Sequence, residues 1–541
     1  MFNLAAIHEA IAAQIPEREC IVFRDRRLLW RDVTDRTRRL ADVLRAHGLG
    51  CHTEREALVR WESGQDHVAL YLHNGNEYLE GMLGAYKARA VPFNVNYRYV
   101  DEELEYLFDD ADTRALIYHA SFAPTLARIR PKLHGVRLWL QVDDGSGEPL
   151  LPGALDYEAA LADATPAPPR DLSPDDLYVL YTGGTTGMPK GVLWRQEDIF
   201  HAAFTTRPVE TLEQLVARAQ RGDIRVLPAP PFMHGAAHWV VFTMWALGGT
   251  VVVQSKPRHL DPDDIWSTVE RERVTALTIV GDAFARPLAD RLRAGHFDVS
   301  SLRLITSGGA ILTASLKAEL LELLPGVRIV DTLGSSESGS QATQSARPGK
   351  RTTTGDFAMN PDNLVLREDL SGPLAPGSGE QGWLARSGRV PLGYYKDPEK
   401  TARTFPEIEG VRYAVPGDRA MLEADGTLRL LGRDSVTINT GGEKVFAEEV
   451  EHALKHHPDV YDAVVVGTPD PRFGQQVTAL VRLREGAVAS ESALREAARA
   501  HVAGYKVPRR FVFVDELVRS PSGKADYRWA RAAALAQLED A

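Results

Sequence analysis

The chain has 541 residues, 44% of them hydrophobic, and 63 basic against 74 acidic residues give a net charge of −11. A single core rarely grows past roughly 250–300 residues, so several packed units are expected, and a net acidic chain without a long basic run argues against a nucleic-acid partner. Only Cys20 and Cys51 are present, too few for a disulfide framework or a four-ligand zinc site, which points to a reducing compartment.

The opening MFNLAAIHEAIAAQIP has no basic segment and no uninterrupted apolar run. It predicts a short amphipathic helix and not a signal peptide. TPAPPRDLSP (165–174) reads as an extended Pro-rich connector. Beyond it, LYVLYT (177–182), TALTIVG (275–281), LRLITSGG (302–309) and VRIVDTLG (327–334) alternate with amphipathic stretches. Short apolar runs of this kind predict buried parallel strands with functional loops at their carboxyl ends. WVVFTMWALGGTVVV (239–253) is shorter than the roughly 20 residues a helix needs to cross a bilayer. Gly248 and Gly249 inside it predict a helix end followed by a buried strand. A cytoplasmic protein without stable membrane insertion is expected.

After LGRDS (431–435) the pattern restarts. FAEEVEHALKHH (446–457) has helical apolar spacing and early acidic residues, and Pro458 stops it. DAVVVGTP (462–469), VTALVRL (477–483) and FVFVDEL (511–517) read as strands, and SALREAARAHV (492–502) as a second helix. The fold expected is α/β: a large N-terminal domain, 1–433, of stacked α/β subdomains, and a small mobile α+β C-terminal domain, 434–541.

YTGGTTGMPKGV (181–192) carries the strongest chemical signal. Gly183, Gly184 and Gly187 allow close backbone approach to an anion. Thr182, Thr185 and Thr186 add hydroxyls, and Lys190 adds a point charge. A Walker A loop would need a Ser or Thr after the lysine; Gly191 stands there, which disfavours a P-loop ATPase or kinase.

Four further motifs follow in order: GSSESG (334–339), PGDRA (416–420), GRDSVTINTGGEKVFAEEVE (432–451) and SPSGKADYRWA (520–530). On these the chain resembles the acyl-adenylate-forming superfamily of acyl-CoA synthetases, peptide-synthetase adenylation domains and beetle-type luciferases. GDAFARPLAD (281–290), GYYKDPEKTARTF (393–405) and AGYKVPR (503–509) look most like bacterial steroid side-chain and fatty acyl-CoA ligases. The resemblance implies that ATP and a carboxylate give acyl-AMP, and that coenzyme A then displaces AMP after the small domain rotates. It places the 182–190 loop on the β- and γ-phosphates, Glu337 on Mg²⁺, and Asp418 on the ribose hydroxyls with Arg433 alongside. Asp331, Thr332, Leu333, Gly334, Ser335 and Ser336 would line the adenine side. Lys524 would bridge carboxylate and α-phosphate, and Asp434 and Ser435 would form the hinge. Three positions depart from the superfamily pattern: Gly184 where Ser is usual, Leu333 where a stacking Tyr is common, and Ser435 where the hinge usually has Asp or Lys.

An acyl pocket is expected from Phe232, Met233, His234, Gly235, Phe284, Gly308, Gly309 and Ala310, with His234 as its wall or gate. Most are small or apolar and none offers a fixed charge for an amino acid's ammonium, so a bulky hydrophobic acid is favoured: fatty, steroid or terpenoid-derived. Replacing Gly309 by Leu is accordingly expected to penalise bulky acids selectively. Gly441, Gly442, Glu443, Lys444, Tyr505 and Lys506 would serve the coenzyme A side. No carrier domain follows Lys524, yet loading of a free-standing carrier protein, or an inactive nucleotide-binding role, stays open. The resemblance also leaves room for a homodimer.

Overall fold

The structure, a computed structural model, describes residues 2–182, 188–440, 443–521 and 523–539. A thirteen-stranded sheet forms its spine. Six strands in its middle and on one flank run parallel, in the order Glu19–Phe23, Thr250–Val253, Arg225–Pro228, Ala276–Ile279, Leu304–Gly308 and Arg328–Ser335. The outer strand Arg26–Leu29 adds antiparallel to the first of these. From Arg328–Ser335 outward the sheet turns antiparallel through Gly339–Ala346, Asp356–Met359, Thr427–Arg433, Asp418–Leu422, Gln381–Arg386 and Asn363–Leu366. A second, five-stranded parallel sheet contains His67–Tyr71 and Thr113–His119 at its centre.

The strand Leu177–Thr182 departs from the sequence expectation. It pairs antiparallel with Lys190–Arg195, Thr182 opposite Lys190, in a separate three-stranded sheet. The connection is the reason: a parallel return needs a crossover of a dozen or more residues, and this loop is too short. The other three runs take the parallel places expected of them, with carboxyl ends at Ile279, Gly308 and Ser335.

The apolar stretch after residue 234 divides as its glycines require. A helix spans Gly235–Trp245 and a buried strand Thr250–Val253. Gly248 turns between them at φ +72°, and a Cβ there would lie 2.1 Å from the Ala219 carbonyl oxygen, so only glycine fits. The N-terminal helix Leu4–Ala12 is capped by Asn3 and buries Leu4, Ile7 and Ile11 in the main core.

From Thr437 the chain builds a smaller five-stranded sheet of Thr437–Thr440, Glu443–Phe446, Val460–Asp470, Gly474–Leu483 and Arg510–Phe513. Helices Ala447–Leu454, Glu491–Arg499 and Tyr527–Glu539 pack on it. Phe446 starts the first of these helices as its N-cap. The strand expected over 511–517 stops at Phe513, and the last helix went unread inside the SPSGKADYRWA motif.

Candidate active site

A cavity of about 1700 Å³ opens where the parallel strands end, at the carboxyl edge where α/β sheets place ligands. Lys524 is among the residues that line it. The residue ends a turn closed by Ser520 N–H donating to the Lys524 carbonyl (2.8 Å) and an Arg519–Ala525 bridge. The turn enters from the small sheet's side and brings Lys524 Cε to 3.9 Å from where a Gly309 Cβ would stand. Lys524 is exposed into the cavity, yet protein surrounds it. That enclosure, with Arg433's charge beside it, lowers its pKa to about 8.

Glu337 faces the same space. Tyr394 donates its hydroxyl to Glu337 Oε1 at 2.8 Å, and Lys400 Nζ lies 4.1 Å from the Tyr394 ring centre. Lys400 also lines the cavity, a cation the sequence reading passed over. Its signal was the Asp397–Pro398 helix start, which fixes Lys400 in the first turn of the helix Pro398–Thr404. Among the described residues no cluster of three or more His, Cys, Asp or Glu is placed to hold a metal. A single carboxylate such as Glu337 would hold Mg²⁺ only together with oxygens of a bound substrate.

Thr182, Thr332, Gly334, Ser335, Ser336 and Arg433 also reach the cavity surface, as do Met233, His234, Gly235, Gly308 and Gly309. Trp194 Nε1 donates to the Ser336 carbonyl at 2.8 Å and fixes the GSSE turn. Asn94 ties two walls together: its amide donates to the carbonyls of Tyr181 (2.9 Å) and Met233 (2.8 Å), and it accepts from Tyr181 N–H. His234 caps the N-terminus of the helix Gly235–Trp245. Burial, then the charge of Lys524, lowers its pKa to about 3, so it is neutral near pH 7.

Other expected residues stand elsewhere. Lys190 Nζ pairs with Asp110 Oδ1 at 3.0 Å and does not face the cavity. Asp331 is buried against Lys317 at 2.8 Å on the opposite side of its strand. Leu333 packs with the cluster around Ala342 and Phe357. Asp418 is 6% exposed, with Arg433 Nε on its Oδ1 at 3.1 Å, so the arginine and not the carboxylate meets the cavity. Phe232, Phe284 and Ala310 lie behind the walls. On the other side, Lys444 Nζ lies 3.4 Å from Glu368, and Lys506 pairs with Glu449 at 2.7 Å next to the exposed Tyr505. These two, with Glu443, are off the cavity surface. Asp434 and Ser435 form a single 3₁₀ turn, in which Asp434 N–H donates to the Gly417 carbonyl. Gly183, Gly184, Thr185, Thr186, Gly187, Gly441 and Gly442 lie outside the described residues.

One arm of the cavity runs back along the sheet. Thr278, Leu304, Thr306, Val330 and Arg328 floor it. Trp239, Val240, Thr243 and Met244, at the i, i+1, i+4, i+5 spacing of one helix face, roof it. Thr278 and Thr306 share a hydroxyl hydrogen bond of 2.8 Å. A five-residue π turn, Phe200–Phe204, widens the wall beside it.

The family model for the AMP-binding enzyme matches residues 8–395, and that for the AMP-binding enzyme C-terminal domain matches 449–524. The chain belongs to the AMP-binding enzyme family. Across 99% of this AMP-binding enzyme and 98% of the relative, it is 52% identical to the medium-chain acyl-CoA ligase Mig of Mycobacterium avium. It is 41% identical to the 3-oxocholest-4-en-26-oate–CoA ligase of Rhodococcus rhodochrous, over 98% and 95% of the two chains. Among solved structures, the anthranilate CoA ligase AuaEII in complex with anthranoyl-AMP superposes with a TM-score of 0.83 at 25% identity, over 99% and 98% of the chains. No helix among the described residues is long and apolar enough to cross a membrane.

Proposed function

We propose that this AMP-binding enzyme is an ATP-dependent acyl-CoA ligase that activates a bulky hydrophobic acid as its acyl-adenylate and passes it to coenzyme A. The observation that carries the reading is the entry of Lys524 into the cavity, opposite Glu337 and beside the Gly308–Gly309 turn. A carboxylate meeting ATP must overcome charge repulsion in a fixed geometry, and a cation between the two anions does both. Arg433 would meet the ribose, Glu337 would hold Mg²⁺ brought with ATP, and Lys400 would meet phosphate oxygens. In the second step the unit 434–541 would turn about Asp434–Ser435 and bring Glu443, Lys444, Tyr505 and Lys506 towards the thiol.

The sheet-floored arm is where the acid would lie. From Gly308 to Leu304 it is about 13 Å long at roughly 3.3 Å per residue, enough for a medium-length chain or a fused-ring body. At the far end stands Arg328, exposed at the start of its strand. A panel that includes distally oxygenated acids would show whether this cation is used. Pyrophosphate release driven by a panel of saturated and distally oxygenated acids, followed by thioester formation with coenzyme A, tests both parts. Release without thioester, restored by a carrier protein, would overturn the acceptor. No acid-dependent release would overturn the reading.

A further inference from the structure

Lys524 reaches its place only because the small unit docks on the large one. Gly523, at φ +74°, lies against the start of the helix Gly281–Ala294. A Cβ there would meet Ala283 Cβ at 3.2 Å and the Val280 carbonyl oxygen at 3.3 Å. Beside this contact a file of charges crosses between the units. Asp282, in the first turn of that helix, is 8% exposed. Its Oδ1 accepts from Thr313 N–H at 2.8 Å and from the Thr313 hydroxyl at 3.2 Å. Its Oδ2 has no hydrogen-bond donor and faces Lys455 Nζ of the small unit at 3.5 Å. Lys455 Nζ lies 3.1 Å from Asp462, which Arg519 grips with both Nε and Nη2 at 2.8 Å. Arg519 Nη1 then donates to the Gly523 carbonyl at 3.0 Å, next to Lys524.

We infer that Asp282 is a positioning residue for adenylation: through Lys455, Asp462 and Arg519 it docks the turn that carries Lys524. The inference rests on the role proposed for Lys524. In a poorly hydrated interface a lost partner leaves an uncompensated charge, so the docked arrangement should fall apart with Asp282 while each unit keeps its own core. Coenzyme A attack needs a different placement of the small unit and should not need this file.

Asp282→Asn is the natural probe. Its Oδ1 can still accept from Thr313, and its Nδ2 then turns a donor towards the Lys455 ammonium. Lys455→Met removes the link from the other side and leaves the Asp462–Arg519 pair intact. Both variants, with Lys524→Ala as reference, are assayed for acid-dependent pyrophosphate release and, separately, for thioester formation from supplied acyl-AMP and coenzyme A. The expected result is an adenylation kcat/KM lower by about tenfold or more in both, with the thiol step within about twofold of wild type. If Lys524→Ala loses adenylation and neither docking variant does, the inference is overturned and the role of Lys524 stands. If Lys524→Ala keeps adenylation, that role falls and the inference with it. Equal loss of both steps also overturns it, because that is damage to the fold.

Discussion

In the role proposed for it Lys524 would have to be cationic, and its surroundings lower its pKa to about 8. The free enzyme should therefore lose adenylation kcat/KM as the pH rises through about 8, since this plot reports free-enzyme groups. Lys524→Arg should move that alkaline limb out of range, whatever it does to the maximum. A limb unchanged in the variant would assign it to another group. His234, already neutral at pH 7, should leave the profile alone when replaced by Asn. Gly309 needs a revised expectation. At φ +87°, with Lys524 Cε 3.9 Å from its missing Cβ, a Leu strains the backbone and crowds the lysine, so bulky and short acids should suffer alike. Thr243→Phe probes pocket size more cleanly. The residue lines the roof, and its side chain bonds only to backbone carbonyls of Trp239 and Ala203. Overpacking of about 1–3 kcal/mol predicts a loss of roughly 5- to 150-fold in kcat/KM for a polycyclic acid, with a short linear acid much less affected.

At the scale of elements, the helix Ala447–Leu454 presses Glu448 against the strand Thr427–Arg433, and Glu448 Oε2 would sit 2.6 Å from a Gly432 Cβ. Burial, then the nearby Glu451 and Asp418, raises the Glu448 pKa from 4.5 to about 7. The folded chain thus holds a proton that the unfolded chain releases, so this group's contribution to stability falls as pH rises from about 4.5 to about 7. Glu448→Gln should melt higher than wild type at pH 8 and equal to it near pH 4; thermal melts at the two pH values check the sign. The elements also show what the sequence could carry. Strand 276–279 was legible as a fully buried apolar run, and 304–308 and 328–335 from the apolar residues of their packed face, the other face carrying the small and polar residues of the cavity. Lys524, Glu337 and Arg433 were singled out by the resemblance of their motifs, and all three line the cavity. Lys190 and Asp418 were expected at the nucleotide; each instead begins a strand, Asp418 paired with the Arg433 expected beside it and Lys190 with Asp110, a pairing that belongs to tertiary packing. Lys400 and the Asp282–Lys455 contact escaped for the same reason: no local spacing announces a pair that docking alone creates.

For the whole molecule, the proposed half-reactions would require two placements of one unit, and the structure has the one with Lys524 in the cavity. Joining Ala283→Cys to Gly523→Cys would hold it, since the two Cβ positions are 3.2 Å apart, close to disulfide range. Native Cys20 is buried and Cys51 half-buried, so little competing chemistry is expected. The oxidised chain should still release pyrophosphate and form acyl-AMP, while thioester formation stalls until a reductant is added. Unimpeded thioester formation in the oxidised state would mean that no large rotation is needed.

The parallel edge of the main sheet has a consequence for synthesis. Glu19–Phe23 emerges among the first residues, but its parallel neighbour is Thr250–Val253. Arg26–Leu29 can pair one edge at once, but at about 5–20 residues per second the other edge of this apolar strand waits on the order of tens of seconds for its mate. During that interval the nascent chain offers an open sheet edge to any other chain nearby. Ribosome-bound fragments ending before Thr250 should accordingly need chaperone cover that the finished chain does not.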